Sequence, residues 1–218
     1  MIFILDLDGT LVDSSSRHCL VLEEILFRYG INGFDCCDYL TYKAFGPSTF
    51  EYLSLHLGVE KDLAKAISFE WAKSIEDEEK VLLSDRLYSD SIDFLKTISK
   101  NHNTIVFLTC RQSKKVLLKE LRSLGIFPYA SRIIVCKPNN GASEKNKAVF
   151  DLLNGNKDKA VYIGDSEVDL LAAKNNNVIF FPLNRGFRNK LFWDERKIDS
   201  YSSFEQIINS PEFIISTV

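Results

Sequence analysis

The chain has 218 residues, 45% of them hydrophobic and 26% charged. That is an ordinary globular composition, which excludes a disordered, collagen-like or coiled-coil chain. The length predicts one large domain or one domain with an inserted lobe. The 27 basic and 30 acidic residues leave a net charge of -3. This argues against a nucleic-acid binder but not against a small phosphorylated ligand, whose charge a metal ion can offset.

In chain order, the first apolar run, Ile2–Asp6, reads as a buried strand. It meets Asp6 too early and lacks the basic flank for a signal peptide. No apolar run reaches the length of a membrane span, so no membrane partner is expected. After Ser14, the residues Leu22, Ile25, Leu26 and Tyr29 share one helical face, and Gly30 offers a left-handed stop. Ser48 and Glu51 form a capping-box signature ahead of Tyr52, Leu53 and Leu55. Residues 60–80 read as one charged amphipathic helix, with the acidic run Glu76–Glu79 as its solvated face.

A helix over Ser89–Lys100, with Ile92, Leu95 and Ile98 inward, leads to a second strand at Thr104–Thr109. A helix over Ser113–Gly125 carries Leu117, Leu121 and Leu124 at helical spacing. The strand Arg132–Cys136, the helix Glu144–Asn154 and the strands Ala160–Gly164 and Val178–Phe181 complete the pattern. Continuous apolar strands suit a sheet covered on both faces. Their alternation with helices predicts an α/β fold with a doubly wound, Rossmann-like parallel sheet. About 95 residues separate the first two strands, against the dozen or so that a crossover needs. An inserted helical cap domain over residues 14–85 is therefore expected, with 1–13 and 86–218 forming the catalytic core.

The five cysteines are Cys19, Cys36, Cys37, Cys110 and Cys136. An odd count without a C-x-x-C pair predicts neither a disulfide framework nor a zinc site, and a cytoplasmic location follows. His18, His56 and His102 are scattered and predict no shared metal site.

Ligands of open parallel sheets bind beyond the carboxyl ends of the strands. The first strand ends in Asp6-Leu7-Asp8-Gly9-Thr10, and residues two apart on an extended chain face the same side. The second ends at Thr109-Cys110-Arg111, where Thr109 and Gln112 also have capping-box spacing. The third leads to Lys137 and Lys145. The fourth ends in Gly164-Asp165-Ser166-Glu167-Val168-Asp169, where Asp169 also fits a cap with Ser166. Carboxylates, a hydroxyl and an amine at one sheet edge suit phosphoryl transfer. One carboxylate attacks phosphorus, a second moves protons, and a hard cation such as Mg²⁺ sits between carboxylates and phosphate.

The run Asp6–Ser14 resembles the first motif of the haloacid dehalogenase superfamily. Phe107-Leu108-Thr109 resembles the second motif and Gly164–Asp169 the fourth, closest to the phosphoglycolate-phosphatase and β-phosphoglucomutase-like branch. The resemblance implies Asp6 as nucleophile and Asp8 as acid/base. It implies Thr109 and a lysine on the phosphoryl group, and Mg²⁺ held by Asp6, the Asp8 carbonyl and Asp165, with Asp169 as a supporting carboxylate. Lys137-Pro138 matches the family's lysine dipeptide, whereas Lys145 fits its place at the following helix; both stand as candidates. Cys110 stands where Asn or Ser is common and reads as inert. Asn177 replaces a usual glycine.

Substrate-binding candidates are Arg17, His18, Lys43, Gly46 and Ser48 on the cap side, with Cys110, Arg111 and Lys137 on the core side. The cap is expected to close over the crevice. The expected activity is Mg²⁺-dependent hydrolysis of a small phosphorylated metabolite. A sugar phosphomutase and a non-catalytic binding protein are the alternatives.

Overall fold

A computed structural model describes residues 1–100, 102–154 and 159–217 of the chain. In chain order the elements are β1 (Ile2–Leu5), β2 (Val12–Asp13), α1 (Ser15–Arg28), α2 (Cys36–Lys43), α3 (Thr49–Glu51), α4 (Lys61–Ser74), α5 (Glu78–Ser84) and β3 (Arg86–Leu87). Then follow α6 (Ser91–Ser99), β4 (Thr104–Cys110), α7 (Lys114–Ser123), β5 (Arg132–Cys136), α8 (Gly141–Leu153), β6 (Ala160–Gly164), α9 (Glu167–Asn175) and β7 (Ile179–Pro182). The short helices α10 (Lys190–Asp194), α11 (Phe204–Ile208) and α12 (Pro211–Thr217) end the chain. All five expected strands are present.

The main sheet has the order β5-β4-β1-β6-β7 and every pairing in it is parallel. Successive side chains on a strand point to opposite faces, so each strand feeds two cores. Phe3, Leu5, Ile105, Phe107, Val161 and Ile163 pack on one face with side chains of α6, α7, α11 and α12. Ile2, Ile4, Val106, Leu108 and Tyr162 pack on the other with α8 and α9. The chain runs outward from β1 through β4 to β5, then returns to β6 on the other side. This reversal makes the carboxyl end of β1 the switch point where such sheets bind ligands.

The insertion after β1 is a helical cap with its own core, built around Leu22, Ile25, Leu26, Tyr39, Tyr52 and Ile67. Gly30 (φ 71°) and Gly125 (φ 73°) adopt the left-handed conformation that stops α1 and α7, and Asn177 (φ 54°) does so after α9. The Ser48–Glu51 capping box forms. A two-residue antiparallel pairing, β2 with β3, was not apparent in the sequence; it ties the two chain crossings at the neck of the cap.

Four expectations are corrected. Residues 60–80 form two helices, because the Asp77 side chain accepts the Lys80 N–H and starts α5 afresh. The acidic run is solvated only in part: Asp77 and Glu79 are exposed, whereas Glu76 accepts the backbone N–H groups of Gln112 and Ser113 just ahead of α7. Thr109 caps no helix, since it lies inside β4 and Ser113 is the N-cap of α7. Finally, Cys19 and Cys36 form a disulfide joining α1 to the start of α2. Such bonds are rare in a reducing cytoplasm, so cysteine usage no longer supports a cytoplasmic location. No helix among the described residues is long and apolar enough to cross a membrane.

Candidate active site

Three carboxylates meet beyond β1 and β6. Oxygens of Asp6, Asp165 and Asp169 lie within 4.8 Å of one another, and all three residues are buried. Lys145, on the first turns of α8 and 2% exposed, reaches into this group. Its Nζ donates to Asp6 Oδ1 at 2.8 Å and to Asp169 Oδ1 at 2.6 Å. Burial works against its charge, but Asp169 and Asp6 outweigh it and hold the ammonium well above its ordinary range. One cation against three buried carboxylates leaves a deficit of positive charge. Burial, then repulsion from Asp169, pushes the Asp6 carboxyl up to about 7 despite Lys145. Burial, Asp6 and Asp169 push Asp165 well above the carboxylate range.

That deficit, with oxygen donors at close quarters, fits a hard divalent cation. The donors divide by what already engages them. Asp169 Oδ1 accepts from Lys145 and from the Tyr162 hydroxyl, and Oδ2 from the N–H and hydroxyl of Ser166. It is thus both the cap partner of Ser166 and a support for Lys145. Asp165 accepts the Phe187 N–H at 2.6 Å. The second oxygen of Asp6 takes part in no hydrogen bond among the described residues.

Two glycines let the backbone come this close. Gly9 turns the chain after β1 with φ 77°, a conformation that strains other residues, and a Cβ there would collide with the Asp165 carboxylate. A Cβ on Gly186 would strike both Asp165 and the backbone of Gly9.

Asp8 faces the other way, toward the cap. Arg111 donates Nε to its Oδ2 and Nη2 to its Oδ1, each at 2.8 Å, and Arg17 Nη2 adds a bond to Oδ1 at 2.7 Å. Burial alone would raise its carboxyl, but Arg111 and then Arg17 hold it well below the carboxylate range. Behind the arginines lie two more buried carboxyls. Arg17 Nε bonds Asp85 at 3.0 Å, and Arg111 Nη2 lies 3.2 Å from Glu120 and 3.5 Å from Asp85. Asp85 Oδ2 and Glu120 Oε2 are each buried without a hydrogen-bond donor among the described residues. Burial pushes Glu120 up to about 8 and raises Asp85 as well. Two guanidiniums thus face three carboxyls, and burial favours a proton on the Asp85–Glu120 pair.

Over Asp8 lies a cavity of about 240 Å³ between cap and core. Arg17, His18, Trp71 and Glu76 of the cap line it, with Arg111 and Phe187 of the core among its walls. The His18 ring packs 4.4 Å from Phe187 and 5.3 Å from Trp71, measured between centroids. Burial, then Arg17, keeps that imidazole well below its usual pKa and therefore neutral. Cys110 also lines the cavity, and burial pushes its thiol up to about 12, so it stays protonated.

The other candidates lie elsewhere. Lys137 is exposed at the end of β5, whereas Lys145 contacts the carboxylates. Thr109 is buried at the end of β4, in register with Val135. Lys43, Gly46 and Ser48 are not among the residues lining the cavity over Asp8. Lys43 sits behind the Tyr39 and Trp71 rings, where burial and Arg188 lower it to about 8. Gly46 packs against Phe192, and Ser48 is occupied as a helix cap.

Sequence reasoning missed Asp85, Glu120 and the loop after β7. Glu120 had a signal, since it falls on the apolar stripe of α7 beside Leu117 and Leu121. The loop had one too, because it follows a parallel strand and contains Gly186.

Residues 3–182 match the haloacid dehalogenase-like hydrolase family. No curated protein matches the chain. Among solved structures, it resembles a haloacid dehalogenase-like hydrolase from Streptococcus pneumoniae, with 21% identity, 91% of each chain covered and a TM-score of 0.71. It also resembles a protein described as a predicted phosphoglycolate phosphatase from Haemophilus somnus. There the identity is 18%, the coverage 95% of this chain and 96% of that one, and the TM-score 0.71. A protein described as a predicted phosphatase from Clostridium acetobutylicum aligns at 17% identity over 91% of each chain, with a TM-score of 0.67. At these identities the likeness concerns the fold.

Proposed function

The chain belongs to the haloacid dehalogenase-like hydrolases, and on that basis we propose that it is a Mg²⁺-dependent phosphatase of a small phosphorylated metabolite. The observation that carries this reading is Lys145 held between Asp6 and Asp169 with Asp165 alongside. We take residues 1–13 and 86–218 as the catalytic unit and 14–85 as the cap.

Asp6 offers its second oxygen to phosphorus, and the bond to the leaving oxygen breaks as the aspartyl-phosphate forms. Lys145 and Thr109 hold the phosphoryl oxygens while charge shifts among them. Asp6, Asp165 and the Asp8 carbonyl would hold Mg²⁺, which would supply the charge that lets a phosphate approach two carboxylates. Asp169 keeps Lys145 aimed.

Asp8 hands a proton to the leaving oxygen and later takes one from the water that hydrolyses the aspartyl-phosphate. The two guanidiniums favour its ionised form, so the arrangement seen here suits the second half-reaction. Donation in the first requires the clamp to loosen. The cap, closing over Asp8, keeps bulk water out between the two.

The test is hydrolysis of a panel of phosphomonoesters with and without Mg²⁺, by wild type and Asp6→Asn. Turnover that needs Mg²⁺ and Asp6 supports the reading. Full activity of folded Asp6→Asn would overturn it.

A further inference from the structure

Beside the cavity over Asp8 lies a second, larger one of about 490 Å³ at the mouth between cap and core. Ala72, Arg111, Gln112 and Pro138 line both, so the two are adjoining parts of one cleft. Their electrostatics differ. At the inner cavity the cations are already paired: Arg17 and Arg111 bond Asp8 and, behind it, Asp85 and Glu120, while Glu76 is engaged by two backbone N–H groups. The outer cavity is lined by Lys73, Lys137 and Arg111 and by no carboxylate. Among the described residues neither lysine has an acidic partner at ion-pair distance.

The ring of Phe69 lies under the Lys73 amine, and the backbone of Lys137 is set by the proline that follows it. Lys73, on the last turn of α4, carries its Nζ 4.3 Å over the ring of Phe69, which also lines the cavity. Lys137 precedes Pro138 and is extended, with φ -74° and ψ 128°; a following proline enforces that conformation. The Lys-Pro dipeptide thus presents one cation from the core opposite another from the cap.

We infer that the substrate carries a second anionic group, and that Lys73 and Lys137 bind it at this mouth while the scissile phosphate lies inside. The inference rests on the phosphatase reading and names the substrate class: a phosphomonoester whose leaving group ends in a carboxylate or another phosphate. The stretch of leaving group between the two anions passes the His18, Trp71 and Phe187 rings, which suit uncharged carbon. Cations on both cap and core also mean that an anionic tail draws the two together, whereas a neutral tail leaves the lysines facing each other.

Steady-state kinetics of the full chain with Mg²⁺ test this. The substrates are 3-phosphoglycerate (carboxylate tail), fructose 1,6-bisphosphate (phosphate tail), glucose 6-phosphate (neutral tail) and p-nitrophenyl phosphate. The expected result is a kcat/KM for one of the two anionic-tailed esters at least tenfold above that for glucose 6-phosphate. Which of the two leads identifies the tail. The double variant Lys73→Ala/Lys137→Ala should reduce that preference at least tenfold, chiefly through KM, and 0.5 M NaCl should erode it in the wild type. Equal or better hydrolysis of glucose 6-phosphate, or a variant that loses activity equally on all esters, overturns the inference while leaving the phosphatase reading standing. Hydrolysis of none of the four by wild type overturns that reading and the inference with it.

Discussion

Arg111 holds Asp8 with two parallel hydrogen bonds, Nε to Oδ2 and Nη2 to Oδ1, both 2.8 Å long. This fork fixes the plane of the carboxylate, which a lysine's point charge cannot do. Arg111 is 3% exposed at its side chain and Asp8 20%. Replacing Arg111 by Met leaves Asp8 with Arg17 alone, and removing one partner of a buried pair costs about 3–5 kcal/mol. Urea unfolding of Arg111→Met should show a loss of that order. Arg111→Lys should recover part of the stability but less of the turnover.

The Asp85–Glu120 pair predicts a pH signature. Glu120 is raised by burial to about 8 in the folded chain, above the carboxyl's unfolded range near 4.5. Between those values the folded state binds the extra proton. Its contribution to stability is full below about pH 4.5 and is lost as pH rises through about 8. Glu120→Gln keeps a neutral, hydrogen-bonding side chain. The variant should lose less stability than wild type between pH 5 and 8, measured by denaturant midpoints. A wild-type slope no steeper than the variant's would refute the shared proton.

Lys145 and Lys137 should separate kinetically. Lys145→Ala removes a donor from the phosphoryl oxygens and should lower kcat by about 10²–10³-fold. Lys137→Ala should act mainly on KM for anionic-tailed esters. The reverse pattern would reassign the phosphate-binding lysine.

The strand ends were readable because the physics there is local. A continuous apolar run ends, a carboxylate follows, and a glycine turns the chain; Asp6, Asp8 and Asp165 are all found this way. The partners of Asp8 were not, since 103 residues separate it from Arg111 and the balancing carboxyls come from a neck segment and a core helix. A buried charge cluster is specified by its sum, and no short segment carries that sum. The helix over 60–80 failed for the opposite reason. Its periodicity is genuine on both sides of Asp77, yet one side-chain hydrogen bond to the Lys80 N–H restarts it. The Lys137-Pro138 dipeptide looked like a motif, while the buried amine that meets Asp6 lies eight residues on, in a less distinctive setting.

Gly186→Ala gives a steric test of the loop after β7. The added methyl would meet the Asp165 carboxylate and the Gly9 backbone, and backbone cannot swing aside as a flexible side chain does. The variant should require more Mg²⁺ for half-maximal activity and melt earlier than wild type. Equal Mg²⁺ dependence would show that the loop is not needed to set Asp165.

The cap disulfide is testable by thiol counting. Unfolded without reductant, the chain should titrate three thiols, Cys37, Cys110 and Cys136. Reduction should cost about 3 kcal/mol, the chain-entropy value for a loop near 17 residues. Five titratable thiols before reduction would refute the bond.

Glu76 gives the cap a grip on a core helix: its two oxygens stand where the amides entering α7 need acceptors. When the cap lifts, those amides lose their partner and an adjoining arginine-rich pocket meets solvent. Lifting the cap therefore costs these two hydrogen bonds. Under the proposed phosphatase mechanism, any opening that releases product would first have to break these two bonds.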